Sequence, residues 1–212
     1  MQGQAEALIG AARALDARGF MPSKSGNLSV RTAAGCLVTP SGLAYAATGP
    51  EDLVEIAPDG TVVAGHRRPS SEWRLHAAIY AARPEARAVV HTHSPMATAL
   101  SCARQGIPPF HYMVALAGGP EIRCAAYATF GTQALAEACV AALDGRKAAL
   151  LANHGVVALG GTLAGAKALA EEVENLARQY LALRAAGLDP VLLTAAEMAE
   201  VFEQFGDYGR AG

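Results

Sequence analysis

Ala88-Val-Val-His-Thr-His93 and, about sixty residues later, Ala148-Ala-Leu-Leu-Ala-Asn-His-Gly155 decide how this chain is read. Both are short apolar runs ending in polar residues, which reads as buried strands. Histidines at i and i+2 on a strand share a face, roughly 6.6–7 Å apart. That lets two imidazole nitrogens reach one metal at about 2.0–2.1 Å each. A third histidine from the Asn153-His154-Gly155 turn completes a set, His91, His93 and His154, with a coordination position left open. An open position marks a catalytic metal. His66, His76 and His111 lack this arrangement, and His76 reads as a helix residue.

Upstream, residues 4–18 carry Ala5, Leu8, Ile9, Ala12 and Leu15 at a helical period that stops near Gly19. Short strands follow at 28–30 and 36–38, then at 53–56 and 61–64 around a Pro58-Asp-Gly60 turn. Ser70 or Ser71 is placed to cap a helix running to Ala82. Arg87–Thr92 is a strand, 95–105 a helix and Ile122–Ala126 a strand. A helix opens at Thr132 and ends before Gly145. Strands at Ala148–Ala152 and Val156–Leu159 flank the Asn-His-Gly turn. Thr162 caps a long helix to Ala186, with Gly187 and Pro190 as stops. Thr194-Ala-Ala-Glu197 is a capping box for a last helix to about Phe205. Phe205-Gly-Asp-Tyr208-Gly then reads as a mobile tail. The expectation is α/β or α+β, one mixed sheet with helices on both faces, in a single domain over residues 1–212.

Net charge is −2 and no Lys/Arg run occurs, so nucleic acid and anionic membranes have little electrostatic support as partners. No signal peptide or membrane span is expected. Cys36, Cys102, Cys124 and Cys139 form no C-x-x-C pair and are read as reduced, mostly buried thiols of a cytoplasmic protein.

Pro69-Ser-Ser-Glu72 opens a helix, and unpaired N–H groups at a helix start suit a phosphate. Ser25-Gly-Asn27 and Ser41-Gly42 are two further small polar turns beside strands. Together the three can cradle an anion without Arg or Lys. Tyr112 is expected in a loop, where it could donate a proton beside a cation.

These segments resemble the class II aldolase/adducin family. The resemblance rests on Ser25-Gly-Asn-Leu-Ser-Val-Arg31, Thr39-Pro-Ser-Gly42, Pro69-Ser-Ser-Glu-Trp-Arg-Leu-His76, Ala88–His93, Ile107-Pro-Pro-Phe-His-Tyr-Met113, Tyr127-Ala-Thr-Phe-Gly-Thr132 and Asn153-His-Gly155. It implies a three-layer α/β/α fold around a largely antiparallel sheet and a fourfold homotetramer with active sites between subunits. It also implies Zn²⁺, with Mn²⁺ or Co²⁺ as substitutes, on His91, His93, His154 and Glu72, with Glu72 doubling as acid/base. Asn27, Ser41, Gly42, Ser70 and Ser71 would hold a substrate phosphate. Tyr112 would protonate the aldehyde oxygen across the interface, and Phe130 and Tyr208 would line the aldehyde side.

The implied reaction splits a ketose 1-phosphate, such as L-fuculose 1-phosphate, into dihydroxyacetone phosphate and an aldehyde such as L-lactaldehyde. Substrates of the 5-deoxyribulose or 5-methylthioribulose 1-phosphate type would use the same residues. Related ribulose-phosphate 4-epimerases usually carry Asp where Glu72 stands, and related dehydratases carry Glu near Tyr112. Adducin-type interaction modules lack the three histidines. Asn153 departs from the bulkier pair that the family's aldolases carry before His154.

Overall fold

The computed structural model describes residues 2–208, without the side chains of Asp207 and Tyr208. The elements run α1 (Gln2–Ala17), β1 (Asn27–Arg31), β2 (Cys36–Val38), β3 (Val54–Ile56), β4 (Val62–Ala64), α2 (Trp73–Ala82), β5 (Ala88–Thr92), α3 (Pro95–Cys102), β6 (Arg123–Ala125), α4 (Gln133–Ala142), β7 (Ala148–Leu151), β8 (Gly155–Gly160), α5 (Leu163–Ala185) and α6 (Ala195–Tyr208). The strands form one sheet of order β4-β3-β2-β1-β5-β8-β7-β6. Every pairing is antiparallel except β6 with β7.

Two cores sit on the two faces, and the two-residue period of the strands divides side chains between them. Ala88, Val90, Ala148, Leu150, Val156 and Ala158 join α1, α3 and α5 in one core. Val89, Ala149, Leu151, Val157 and Leu159 join α2 and α4 in the other. Burying both faces explains why β5, β7 and β8 read as continuous apolar runs rather than alternating ones. Fully burying each Val or Leu there contributes about 1.5–3 kcal/mol.

Caps follow the expected chemistry at three helices. Thr132 Oγ1 accepts from Leu135 N at 3.2 Å, and Thr162 Oγ1 accepts from Gly165 N at 3.0 Å. At α6 the box is reciprocal, with Thr194 N donating to Glu197 Oε2 at 2.7 Å and Glu197 N donating to Thr194 Oγ1 at 3.2 Å. α3 is capped from a distance: buried Glu174 of α5 accepts from Met96 N at 3.0 Å and Ala97 N at 2.8 Å.

Several expectations are corrected. α2 starts at Trp73 with Glu72 as its N-cap residue, because Ser70 Oγ takes the Glu72 N–H at 3.2 Å and holds the chain in a turn there. Tyr112 begins a 3-10 segment, Tyr112–Ala117, rather than lying in a loop, with the His111 ring capping Met113 N at 3.2 Å. The tail expected after Phe205 is helix through Tyr208. Residues beyond it, and the Tyr208 side chain, lie outside the described residues. Cys36 and Cys139 are buried, but Cys102 is exposed and Cys124 half-buried. No helix among the described residues is long and apolar enough to cross a membrane.

Candidate metal centre

His91 is the next-to-last residue of β5, paired with Asn27 of β1 on one side and Val157 of β8 on the other. His93 lies just past the strand, its N–H donating to Phe20 O at 3.0 Å. His154 sits in the β7–β8 turn, which needs Asn153 in the left-handed region (φ 54°). The turn is anchored to α3, with Asn153 N donating to Ser101 O at 2.9 Å and His154 N donating to Ser101 Oγ at 3.3 Å. At Gly155 a side chain has no room: a Cβ would strike the Thr92 carbonyl and lie 3.1 Å from the His93 ring and 3.4 Å from the His91 ring. The Asn-His-Gly sequence is thus a packing requirement of the cluster.

The three imidazole centroids stand 4.8–4.9 Å apart. Glu72 closes the group, Oε2 lying 3.1 Å from His91 Nε2 and Oε1 3.3 Å from His154 Nε2. One ligand atom from each of Glu72, His91, His93 and His154 falls within 4.8 Å of the others.

The donor chemistry fits a cation. His91 Nδ1 lies 2.9 Å from Val156 O, so Nδ1 carries the proton and donates, and Nε2 presents a lone pair. That lone pair meets His93 Nε2 at 3.1 Å and the Glu72 carboxylate at the same distance. A lone pair on His91 Nε2 facing the Glu72 carboxylate is reconciled by a positive charge between them, a proton or a metal cation. Glu72 Oε1 is buried without a hydrogen-bond partner.

The titration behaviour agrees. Burial, then the neighbouring imidazoles, hold His93 near a pKa of about 3; burial and His91 hold His154 near about 4. Both are neutral ligands at ordinary pH. For His91 burial opposes the charge, yet Glu72 outweighs it and the pKa rises. For Glu72 burial pushes the pKa up, but His91, His154 and the Asn27 amide hold it well below the usual carboxylate range. Two neutral imidazoles, a third whose Nε2 is turned inward by the Val156 carbonyl, and a carboxylate suit a divalent cation.

The cluster forms the floor of a cavity of about 370 Å³. The two Ser-bearing loops run side by side along its rim. Pro40 bridges to Pro69, Ser41 N donates to Arg68 O at 3.0 Å, and Ser70 N donates to Thr39 O at 3.1 Å. Ser41, Gly42, Ser70, Ser71 and Phe130 all line this cavity. So does Asn27, but its side-chain amide is engaged behind the floor: Nδ2 donates to Glu72 Oε2 at 2.9 Å and Oδ1 lies 2.5 Å from His76 Nε2. Anchoring Glu72 therefore competes with the phosphate role expected of it.

Tyr112 is not brought to this cavity within one chain. It is half exposed, stacks on His111 at 4.8 Å, faces Phe205 at 6.4 Å, and lines a separate groove against α6.

Two groups were missed from sequence. Lys24 lines the cavity beside the serine loops, its Nζ 3.5 Å from Gly42 O. Its place follows from consecutive left-handed residues, Ser23 (φ 56°) and Lys24 (φ 64°), a conformation that no composition rule flags. Tyr127 lines the opposite side, with Arg104 over its ring at 5.6 Å and Arg104 Nε donating to Asn153 Oδ1 at 2.9 Å.

Known proteins match this architecture. The family described as Class II Aldolase and Adducin N-terminal domain matches residues 6–181. A 5-methylthioribulose-1-phosphate/5-deoxyribulose-1-phosphate aldolase of Rhodospirillum rubrum is 52% identical over 203 residues, 95% of this chain and 90% of that one. An L-fuculose phosphate aldolase of Escherichia coli is 46% identical over 192 residues, 90% of this chain and 88% of that one. A solved L-fuculose 1-phosphate aldolase superposes with a TM-score of 0.91 at 38% identity, covering 95% of each chain.

Proposed function

From the premise that this chain belongs to the class II aldolase and adducin family and is a class II aldolase, a lyase, we propose that it reversibly joins dihydroxyacetone phosphate to a short, uncharged aldehyde. The product is a deoxyketose 1-phosphate. The observation that carries this reading is the neutral-histidine and carboxylate floor beneath two stitched serine loops.

His91, His93, His154 and Glu72 would hold a divalent cation, for which Zn²⁺ is the proposal. It would supply Lewis-acid stabilisation of the negative charge that builds on the ketone side of the broken bond. Ser41, Gly42, Ser70 and Ser71, with Asn27 at the inner edge, bind the phosphate through hydroxyls and backbone N–H groups. Ser70 Oγ already accepts from Glu72 N, so its own proton is free to donate. Lys24 is the cation on that side.

In the synthetic direction Glu72 takes the C3 proton of dihydroxyacetone phosphate, and the resulting enediolate attacks the aldehyde carbon. In cleavage Glu72 returns that proton. Tyr112, supplied by a neighbouring subunit of a homotetramer, protonates the aldehyde oxygen in synthesis and takes that proton back in cleavage. Phe130 and Tyr127 form the aldehyde side; Tyr208 is proposed there on resemblance alone.

L-Fuculose 1-phosphate, which would release L-lactaldehyde, is one candidate substrate. Substrates of the 5-deoxyribulose or 5-methylthioribulose 1-phosphate type are the second reading, favoured by the 52% identity to the Rhodospirillum aldolase. They would release acetaldehyde or (methylthio)acetaldehyde. The test is to incubate the enzyme with dihydroxyacetone phosphate and each of the three aldehydes and follow carbon–carbon bond formation. The relative kcat/KM values choose among the aldehydes. Epimerisation of L-ribulose 5-phosphate with no aldehyde consumed would overturn the aldolase proposal.

A further inference from the structure

Behind the cavity floor α2 and β1 are joined by a polar ladder that the aldol chemistry does not itself use. Glu72, His76 and Tyr80 stand at i, i+4 and i+8 on one stripe of the helix. Asn27, Ser29 and Arg31 stand at i, i+2 and i+4 on one face of the strand. The two spacings, about 6 Å and about 6.6 Å per step, keep the rows in register. Ser29 Oγ lies 2.6 Å from His76 Nδ1 and 2.8 Å from the Tyr80 hydroxyl, and His76 Nε2 lies 2.5 Å from Asn27 Oδ1. At the far end Arg31 Nη2 donates to Tyr80 O at 2.8 Å. His76 and Ser29 are fully buried.

Every donor in this chain is determined by its last member. The Glu72 carboxylate accepts, so Asn27 must turn its NH2 toward Oε2 and its carbonyl toward His76. His76 must then carry its proton on Nε2, leaving Nδ1 as an acceptor. Ser29 gives its single proton to Nδ1, and the Tyr80 O–H donates to Ser29. Burial, with His91 nearby, holds His76 neutral at a pKa of about 3, consistent with one fixed tautomer. The Glu72 carboxylate thus sets the direction of every bond in the ladder, and the buried, paired ladder in turn holds the Asn27 amide against Oε2. Each oxygen faces one imidazole, Oε2 His91 at 3.1 Å and Oε1 His154 at 3.3 Å, but only Oε2 also accepts from Asn27, at 2.9 Å, and Oε1 accepts no hydrogen bond.

We propose that His76 is a positioning residue: through Asn27 it locks the Glu72 carboxylate so that Oε2 is held as an acceptor and Oε1 is the working oxygen. The proposal rests on the role given to Glu72 above. A free carboxylate would rotate and exchange its oxygens; one held through a fully paired buried network does not.

The test compares His76→Leu with His76→Gln. Leu can neither donate nor accept, whereas the Gln amide can offer an N–H to Asn27. In His76→Leu, metal affinity measured by chelator competition should fall roughly 10–100-fold and kcat by a similar factor, the usual scale for groups behind metal ligands. KM for the ketose phosphate should change less than kcat, because the serine loops are untouched and Asn27 alone of the proposed phosphate residues contacts His76. His76→Gln should regain most of both losses. A role in fold stability alone would lower the melting temperature of both variants without separating their metal affinities.

Unchanged metal affinity and kcat in a folded His76→Leu, or a His76→Gln as impaired as His76→Leu, would overturn the proposal. Should His76→Leu fail to fold, Ser29→Ala carries the test: loss of the hydrogen bonds that Ser29 Oγ makes to His76 and Tyr80 should cost about fivefold in kcat, and a wild-type kcat with wild-type metal affinity overturns it. If the wild type turns over no ketose phosphate, the aldolase reading fails, while the metal affinities still decide the case of His76.

Discussion

Glu72 is buried and has neighbours on three sides: His91 at 3.1 Å, His154 at 3.3 Å and Asn27 at 2.9 Å. Tyr112, the other residue assigned a proton to carry, has 51% of its surface in solvent and stacks only on aromatic neighbours of its own chain. The first region is finished within one chain; the second leaves half of a tyrosine's surface uncovered. A site can therefore be half closed and half open. Under the proposed function, the closed half would decide whether a cation is held, and the open half what is done at the far end of the substrate.

Removing a ligand from the closed half should have the largest effect. His93→Ala is expected to reduce the metal from about one per chain to background, with activity lost alongside. Elemental analysis of the purified variant checks this, and full metal content would remove His93 from the centre. Glu72→Gln should come next, keeping phosphate binding but losing roughly 10²–10⁴-fold in rate. Its metal content must be measured in the same preparation, so that a lost ligand is separated from a lost proton carrier.

The open half is tested by complementation. Tyr112→Phe should lose about 10²-fold in kcat with metal content unchanged. Mixing it with Glu72→Gln under subunit exchange should restore part of the activity, because mixed assemblies contain sites with one intact Glu72 and one intact Tyr112. A monomer by light scattering, or no recovery on mixing, would show that Tyr112 does not act in trans. The smallest effect is expected at Lys24. Lys24→Met should raise KM for the ketose phosphate about fivefold with kcat unchanged, and the difference should shrink in high salt, because this ammonium is exposed and screened.

What was legible in the sequence follows the same division. His91, His93 and His154 could be read because strand and turn geometry converts their spacing directly into convergence. The sheet with helices on both faces could be read because Ala88–Thr92 and Ala148–Leu151 lack polar alternation. The ladder could not: Asn27 and His76 are 49 residues apart, and only the packing of α2 on β1 brings them together. For the same reason Asn27 was read as a phosphate ligand alone and His76 as an ordinary helix residue. Lys24 escaped notice because its position depends on two left-handed backbone angles. Tyr112 was singled out from the sequence, and a single chain gives it no visible target.

The strand order carries a further consequence. β5 lies between β1 and β8, so the floor of the cavity joins segments that begin at Asn27 and end beyond His154. Such long-range pairings close large loops and form late in folding. On the ribosome, the nascent chain can offer His91 and His93 long before His154 has emerged. Capture of a metal by all four groups would then wait until the β7–β8 hairpin has zipped onto β5. Metal uptake would thus act as the chain's own completion signal, and a pulse of zinc-responsive fluorescence during refolding would time the closing of the sheet.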